Sequence, residues 1–422
     1  LQAFRRTKTP GRQPCLSGET LFPAKIDGKR IGFLHSSRIY LDHNATSPVH
    51  PSAWAAMTCA LDCIGNPSSI HAEGRAARAL IEQARQDVAA LVDCAAEDVV
   101  FTSGGTEALN MILGPDVFST EGSVEILLIA GGEHAAVFEG HRFPAAQTGI
   151  AALDAGGRLD LTALADALDR HAGRRIMLAV QAANNETGVI QPVAEAAALV
   201  HARGGIVVCD AVQAAGKIDC RASSFAADAL AISAHKFGGP KGVGALIFPS
   251  RKYHLRHGVV RGGGQERGLR SGTENLPGIV GLGAAAKFAA GHWRGAADQL
   301  TAWRDAIEEI ILARVPDAVI FGREAGRLPN TVNFAVPGAE AQILLMNLDL
   351  GGVALSSGSA CSSGKVKSSH VLQAMGVTPE IAKSALRISL GWTTRDEDIA
   401  GFETAFTKAL QTMRRKVPRE AA

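Results

Sequence analysis

Lys236 follows an apolar run, Ala229 to Ile232, and stands beside Ser233 and His235 ahead of a glycine-rich turn and a second apolar run, Gly244 to Phe248. The pattern predicts strand, polar tip, tight turn, strand. A lysine just past a buried strand, with Ser and His beside it, suits an imine with an aldehyde cofactor. Read alone, the same stretch fits a surface lysine on a hairpin equally well. Elsewhere the chain offers an acid at the end of an apolar run (Asp210 after Ile206–Cys209), a histidine just beyond another (His134), and a Ser-Gly-Gly-Thr turn that places Gly105 and Thr106 at a helix start. A pyridoxal phosphate site needs a lysine for the aldehyde, an acid facing the pyridine nitrogen, a ring stacked on the cofactor, and phosphate donors. Lys236, Asp210, His134 and the set Thr106, Ser233 and His235 supply those types, and backbone N–H groups at a helix N-terminus add an anion site. Each has an ordinary alternative: Asp210 a helix cap, His134 a core histidine, Thr106 a turn hydroxyl. Their joint occurrence argues for one site.

Cys361 differs from the other six cysteines. It lies in a run of Gly, Ser and Ala with no apolar anchor on either side, and Lys365 and Lys367 nearby favour its thiolate. An incidental cysteine in a flexible loop would look similar. Six residues on either side would carry the sulfur roughly 20 Å if extended, the reach a nucleophile needs to visit both a cofactor and an outside acceptor. Cys59, Cys63, Cys94, Cys209 and Cys220 lie in apolar or helical contexts and read as packing residues.

The elements that must position these residues alternate. Strands are predicted at Val99–Thr102, Glu125–Ala130, Arg175–Val180, Ile206–Asp210 and Ala229–Ile232, with helices around Ala77–Leu91 and Val193–Ala202. Each polar candidate falls at the carboxyl end of a strand, where doubly wound sheets place their ligands. Beyond about residue 290 come a long amphipathic helix (Gln299 to Arg314), a strand at Asn330–Phe334, the Cys361 region, a strand at Ala385–Leu390 carrying Arg387, and a last helix from Asp396 to Met413. Gly281-Leu-Gly-Ala-Ala-Ala286 imitates a dinucleotide fingerprint but follows no strand. Gly364-Lys365 lacks the Ser/Thr of a nucleotide loop, and His254 with His257 has no third ligand nearby, so no metal is expected. The division expected is a large domain at 51–290, a smaller α/β domain from 38–50 with 291–422, and an extension at 1–37.

With 422 residues, 46% hydrophobic and 20% charged, the chain has an ordinary globular composition. It contains no run of about 18 apolar residues, so no membrane span is expected. Residues 1–38 carry eight Lys/Arg against two Asp/Glu, and the remainder 35 against 39. The body is therefore mildly acidic and gives no signal for nucleic acid or membrane. Seven scattered cysteines argue against a disulfide framework and for a cytoplasmic compartment. Arg5, Arg6 and Arg12 precede any acid, as in a targeting segment, but Glu19, Asp27 and the lack of an amphipathic repeat speak against one.

From about residue 38 to 413 the chain resembles the group I cysteine desulfurases of the NifS/IscS type, within the class V aminotransferase superfamily. The likeness rests on Leu41-Asp-His-Asn-Ala-Thr46, Gly65-Asn-Pro-Ser-Ser-Ile-His71, Ser103-Gly-Gly-Thr-Glu107, Glu133-His134, Asn184-Asn-Glu186, Asp210-Ala-Val-Gln213, Ser233-Ala-His-Lys236, Gly263-Gly-Gln-Glu-Arg-Gly-Leu-Arg-Ser-Gly-Thr273 and Ser356-Ser-Gly-Ser-Ala-Cys361. It implies a pyridoxal-phosphate-dependent transferase of fold type I: α/β, with a mostly parallel sheet flanked by helices and a smaller α/β domain. It further implies that Lys236 holds the cofactor and moves the Cα proton, that His134 stacks on the ring, and that Asp210 pairs with the pyridinium. Gln213 and Asn185 would contact the cofactor oxygen and the substrate. Gly105, Thr106, Ser233 and His235 would hold the phosphate, with Thr273 from a second subunit of a homodimer. Arg387 would clamp the substrate carboxylate. The family usually has Gly where Ala234 stands, an aromatic at or near Gly239, and Pro where Ala135 stands.

The activity implied is conversion of L-cysteine to L-alanine, with the Cys361 thiolate taking the sulfur as a persulfide and passing it to an iron–sulfur scaffold or another acceptor protein. Another enzyme of the same fold, an aminotransferase or a selenocysteine lyase, is the nearest rival. A non-catalytic partner of an iron–sulfur scaffold is the rival from a different class.

Overall fold

The computed structural model describes residues 38–119, 122–249, 253–357 and 369–415. Cys361 and the extension at 1–37 lie outside the described residues.

Apolar runs of four to six residues become the strands of a seven-stranded sheet: β1 (Val99–Thr102), β2 (Ile126–Ala130), β3 (Thr148–Ala151), β4 (Ile176–Gln181), β5 (Ile206–Asp210), β6 (Ala229–Ser233) and β7 (Gly244–Ile247). Their order across the sheet is β1-β7-β6-β5-β4-β2-β3. Only β7 runs against its neighbours β1 and β6. Burial on both faces explains why these strands, apart from the partly exposed edge strand β3, read as continuous apolar runs. Successive residues alternate between two cores: Leu178, Val180, Val207 and Cys209 pack on one face, Met177, Ala179, Ile206 and Val208 on the other.

Helices cover the faces. Helix α1 (Ala72–Val92) is capped by His71, whose Nδ1 accepts from the Gly74 N–H at 3.2 Å, and buries Ala77, Ile81, Ala84 and Val88. Helix α2 (Gly105–Ile112) follows β1 directly. Helix α3 (Leu276–Arg314) is one uninterrupted element of 39 residues, longer than the Gln299–Arg314 segment that periodicity alone marks out. Its first half contains Gly281–Ala286. A Cβ on Gly283 would come within 2.6 Å of Ala84 Cα, and one on Gly281 within 2.6 Å of Met57 Cγ. The glycines therefore serve close helix packing, with no nucleotide turn.

Downstream of this, β8 (Val319–Ile320), β9 (Thr331–Ala335), β10 (Ser356–Ser357) and β11 (Ala385–Ser389) form an antiparallel sheet in the order β8-β9-β11-β10. It packs with the end of α3 and with helix α4 (Asp396–Arg415) around Phe334, Phe402 and Phe406. A strap at residues 41–47 ties the two sheets together. His43 N–H donates to Ser389 O at 3.1 Å and Ser47 N–H to His235 O at 2.7 Å.

Five cysteines fall among the described residues, and no disulfide joins any two of them. Cys209 and Cys220 are buried as expected, whereas Cys59 is exposed on the helix Pro51–Leu61, which corrects its reading as a packing residue. Among the described residues no helix is long and apolar enough to cross a membrane.

Candidate active site

The strand ends dictate the site. Parallel strands place their carboxyl ends on one rim, and the chain turns polar there: His134 after β2, Asn185 after β4, Asp210 at the tip of β5, and Ser233, His235 and Lys236 at the tip of β6. Gln181 pairs in register with Asp210, and Asp210 with Ala231, so neighbouring tips are level. These residues open on one cavity of about 300 Å³, closed from the α2 side by Gly105 and Thr106 and from the smaller sheet by Arg387. Gln213 and Asn44 also line it. Thr273 is exposed and does not line this cavity, and Cys361 lies outside the described residues.

The anion end has a tight build. A Cβ on Gly105 would lie 2.6 Å from Val212 Cγ2, so glycine lets the α2 N-terminus approach the turn after β5. Thr106 is exposed and Ser233 buried at the cavity wall. His235 Nδ1 lies 3.2 Å from Thr46 Oγ1. Burial, followed by the positive charges of Lys236, Lys241 and Lys217, pushes the His235 pKa down to about 4, leaving the ring neutral near neutrality.

Lys236 Nζ donates to the Asn44 carbonyl at 2.6 Å and the Ala45 carbonyl at 3.0 Å. Asp210 is 8% exposed and accepts from the Val212 N–H at 2.9 Å. Burial raises its carboxyl pKa, opposed by that bond and by the charges of His134 and Lys236. A buried carboxylate of this kind gains from a cation placed against it. His134 caps the short helix Ala135–Phe138, its Nδ1 accepting from the Ala136 N–H at 3.0 Å. With Nδ1 accepting, Nε2 is the ring nitrogen left to donate. Ala135, at the first helical position, occupies a site where proline is equally at home.

Arg387 reaches across from β11 with a side chain 3% exposed. Nη2 donates to Asp42 Oδ1 at 2.7 Å and Nη1 to the Asn185 carbonyl at 3.0 Å, while Nε is buried with no partner among the described residues. Asn184 holds that corner: its Oδ1 accepts from the N–H groups of Glu186 at 2.8 Å and Thr187 at 2.9 Å.

Residues quoted only as parts of motifs, and Lys217, quoted in none, also enter the site. Asn44 is a hub whose carbonyl accepts from Gln213 Nε2 at 3.0 Å as well as from Lys236. Lys217, four residues beyond Gln213, is 8% exposed and donates to Gln213 Oε1 at 2.6 Å and Asn44 Oδ1 at 3.1 Å. Glu133 is fully buried, with Oε1 accepting from the Gln181 N–H at 2.7 Å and Oε2 unpartnered. Burial and then the charge of Asp210 raise its pKa well above the ordinary carboxyl range. The i, i+4 spacing of Gln213 and Lys217 was the available signal, and it passes for an ordinary turn. Lys236 also borders a second cavity of about 470 Å³, walled by Phe237, Phe288, Trp303 and Trp392.

The departures at 234 and 239 compensate each other. A Cβ on Gly239 would fall 2.6 Å from the Ala234 Cβ. The methyl group gained at 234 takes the space that a side chain at 239 would need.

The set fits pyridoxal phosphate on its own chemistry. The cavity has the volume of a small cofactor site. It holds a lysine amine, a buried carboxylate, an imidazole and a helix N-terminus bearing a hydroxyl, and a buried guanidinium N–H remains to be satisfied.

Comparison with known proteins agrees. The family described as Aminotransferase class-V matches residues 39–402. A cysteine desulfurase of Cereibacter sphaeroides is 43% identical over 380 residues, covering 85% of this chain and 92% of that protein. The crystal structure of a NifS-like protein from Rickettsia africae superposes with a TM-score of 0.79 at 32% identity, over 89% of this chain and 99% of its own. A structure described as SspA in complex with cysteine matches with a TM-score of 0.70 at 27% identity, over 83% of this chain and 98% of its own. The chain belongs to the class-V aminotransferase family and, within it, to the cysteine desulfurases.

Proposed function

We propose that this chain is a pyridoxal-phosphate-dependent cysteine desulfurase, converting L-cysteine to L-alanine and carrying the sulfur as a persulfide on Cys361. The observation that carries the reading is a single cavity onto which Lys236, Asp210, His134 and Arg387 all open. Bound there, the cofactor supplies an electron sink for the substrate Cα. The chain's own residues do the rest. Asp210 would pair with the ring nitrogen and keep it protonated, and His134 would lie against the ring. The α2 N-terminus with Gly105, Thr106, Ser233 and His235 holds the phosphate, and Gln213 and Asn185 meet the cofactor oxygen and the substrate. Arg387, held by Asp42 and the Asn185 carbonyl, takes the substrate carboxylate. Lys236 carries the cofactor and then moves the Cα proton. The Cys361 thiolate attacks the substrate sulfur: an S–S bond forms, the Cβ–S bond breaks with its electron pair left on carbon, and protonation gives alanine.

The same reading makes the protein a homodimer, with Thr273 serving the partner's cavity. In support, Thr273 is exposed, and Trp54, Leu61, Ile64 and Ile70 leave an apolar surface on and after the helix Pro51–Leu61. The persulfide would pass to an iron–sulfur scaffold or another acceptor, and five cysteines with no disulfide among the described residues suit the cytoplasm. The distinct cores of the two sheets support a large domain at 51–290 and a small one from 38–50 with 291–422.

Incubation with L-cysteine should yield alanine and, under thiol, sulfide, with one extra sulfur atom on the Cys361 peptide by mass spectrometry. Cys361→Ser should keep the visible cofactor band and lose sulfide release. Sulfide release that survives this substitution would sink the mechanism.

A further inference from the structure

Buried lysines ordinarily find a carboxylate. Lys217 does not: its described partners are two neutral amide oxygens, Gln213 Oε1 at 2.6 Å and Asn44 Oδ1 at 3.1 Å. An ammonium group only donates, so its approach fixes the Gln213 amide with oxygen toward Lys217 and nitrogen toward Asn44, whose carbonyl accepts it at 3.0 Å. The same Asn44 carbonyl accepts from Lys236 Nζ at 2.6 Å. Asn330 Nδ2, at 3.2 Å from Asn44 Oδ1, and Thr331 Oγ1, at 2.9 Å from Asn44 Nδ2, pin the hub from the smaller sheet. Lys217 and Lys236 also wall the same second cavity. Two lysines thus share one asparagine, one through its side chain and one through its backbone.

We propose that Lys217 is a positioning residue of the active site, which turns the Gln213 N–H toward the cofactor oxygen and, by its charge, weakens the hold of the Lys236 nitrogen on its proton. This rests on the cavity being the cofactor site. Both effects act in one direction: a donor on the cofactor oxygen and a cation behind the lysine each favour the unprotonated nitrogen, the form able to remove a Cα proton. The groups facing the pair are His43 from the strap, Asp210 and His134 from the strand tips, His235 and Lys241 around the lysine turn, and Arg387 from the smaller sheet. Asp210 is the acid among them and is turned to the Val212 N–H. Burial above all, then the charges of Lys236 and Arg387, pushes the Lys217 pKa well below the ordinary lysine value. The charge effect therefore acts only where Lys217 keeps its proton, whereas the Gln213 orientation is held in either state by the Asn44 carbonyl, which only accepts.

The test is a pH titration of the visible band of the purified holoenzyme without substrate. Lys217→Met should raise the midpoint by about one unit, and Lys217→Arg, which keeps charge and donors, should restore most of the wild-type value. A Met variant that titrates like wild type, or an Arg variant displaced as far as Met, overturns the proposal. If the Met variant does not fold, Lys217→Gln is read by the same criterion, and failure of every variant to fold makes Lys217 a folding element and ends the assignment. A wild-type protein without a visible band would instead defeat the cofactor reading itself.

Discussion

Two buried cations in this molecule are handled in opposite ways. Arg85 and Lys217 are nearly equally hidden, at 3% and 8% exposed. Arg85, on α1, meets Glu266 through two bonds of 2.7 Å, and Glu266 also accepts from the Phe101 N–H at 2.9 Å. That pair fastens the loop bearing Glu266 and Arg267, both at positive φ, against β1. Among the described residues Lys217 meets amide oxygens only. A bidentate, neutralised pair holds shape and has no proton to exchange. A cation solvated by amides holds its proton loosely and changes the proton affinity of its neighbours. Burial does not separate the two cases; the chemistry of the partner does.

Substitution sharpens the contrast. Arg85→Met leaves Glu266 buried and unpaired and should cost about 3–5 kcal/mol, read as a fall in the denaturation midpoint. The band midpoint of the folded fraction should stay at the wild-type value, and a shifted midpoint would erase the distinction between the clusters. A smaller effect is expected beside Lys236. Gly239→Ala drives a methyl group against Ala234 and should cost about 1–3 kcal/mol, which Ala234→Gly in the same chain should recover in part, since the carbonyl oxygen of residue 234 stays 3.0 Å from the new methyl group. Independent, additive losses would show that the two positions do not compensate.

A further effect depends on pH. His43 is fully buried, and burial with the charge of Lys217 pushes its pKa from the ordinary 6.5 to about 3. The unfolded chain takes up a proton below 6.5 that the folded chain refuses until about 3. Stability from this site is therefore complete above 6.5 and lost as pH falls through that window. The advantage of wild type over His43→Gln, followed by urea unfolding, should shrink between about pH 7 and about pH 4. A constant difference would mean that His43 titrates normally when folded.

Much of this was legible in the chain itself. Runs such as Ile206–Cys209 are apolar throughout because both sheet faces are covered, and a polar residue at the end of such a run can only be at the rim. Asp210, His134 and Lys236 were therefore readable. Lys217 and Asn44 were not, because their bond joins residues 173 apart and neither lies at a strand tip. The first half of α3 was hidden for another reason. Its glycines lower helix propensity locally, and only contact with Ala84 and Met57 explains them.

The central claim is that Lys236, among the clustered lysines, carries the cofactor. Borohydride reduction of the holoenzyme followed by peptide mapping tests it directly. The reduced pyridoxyl adduct should be found on Lys236 and vanish, with the visible band, in Lys236→Ala. An adduct on Lys217 or Lys241, or a band that survives the substitution, would contradict the account.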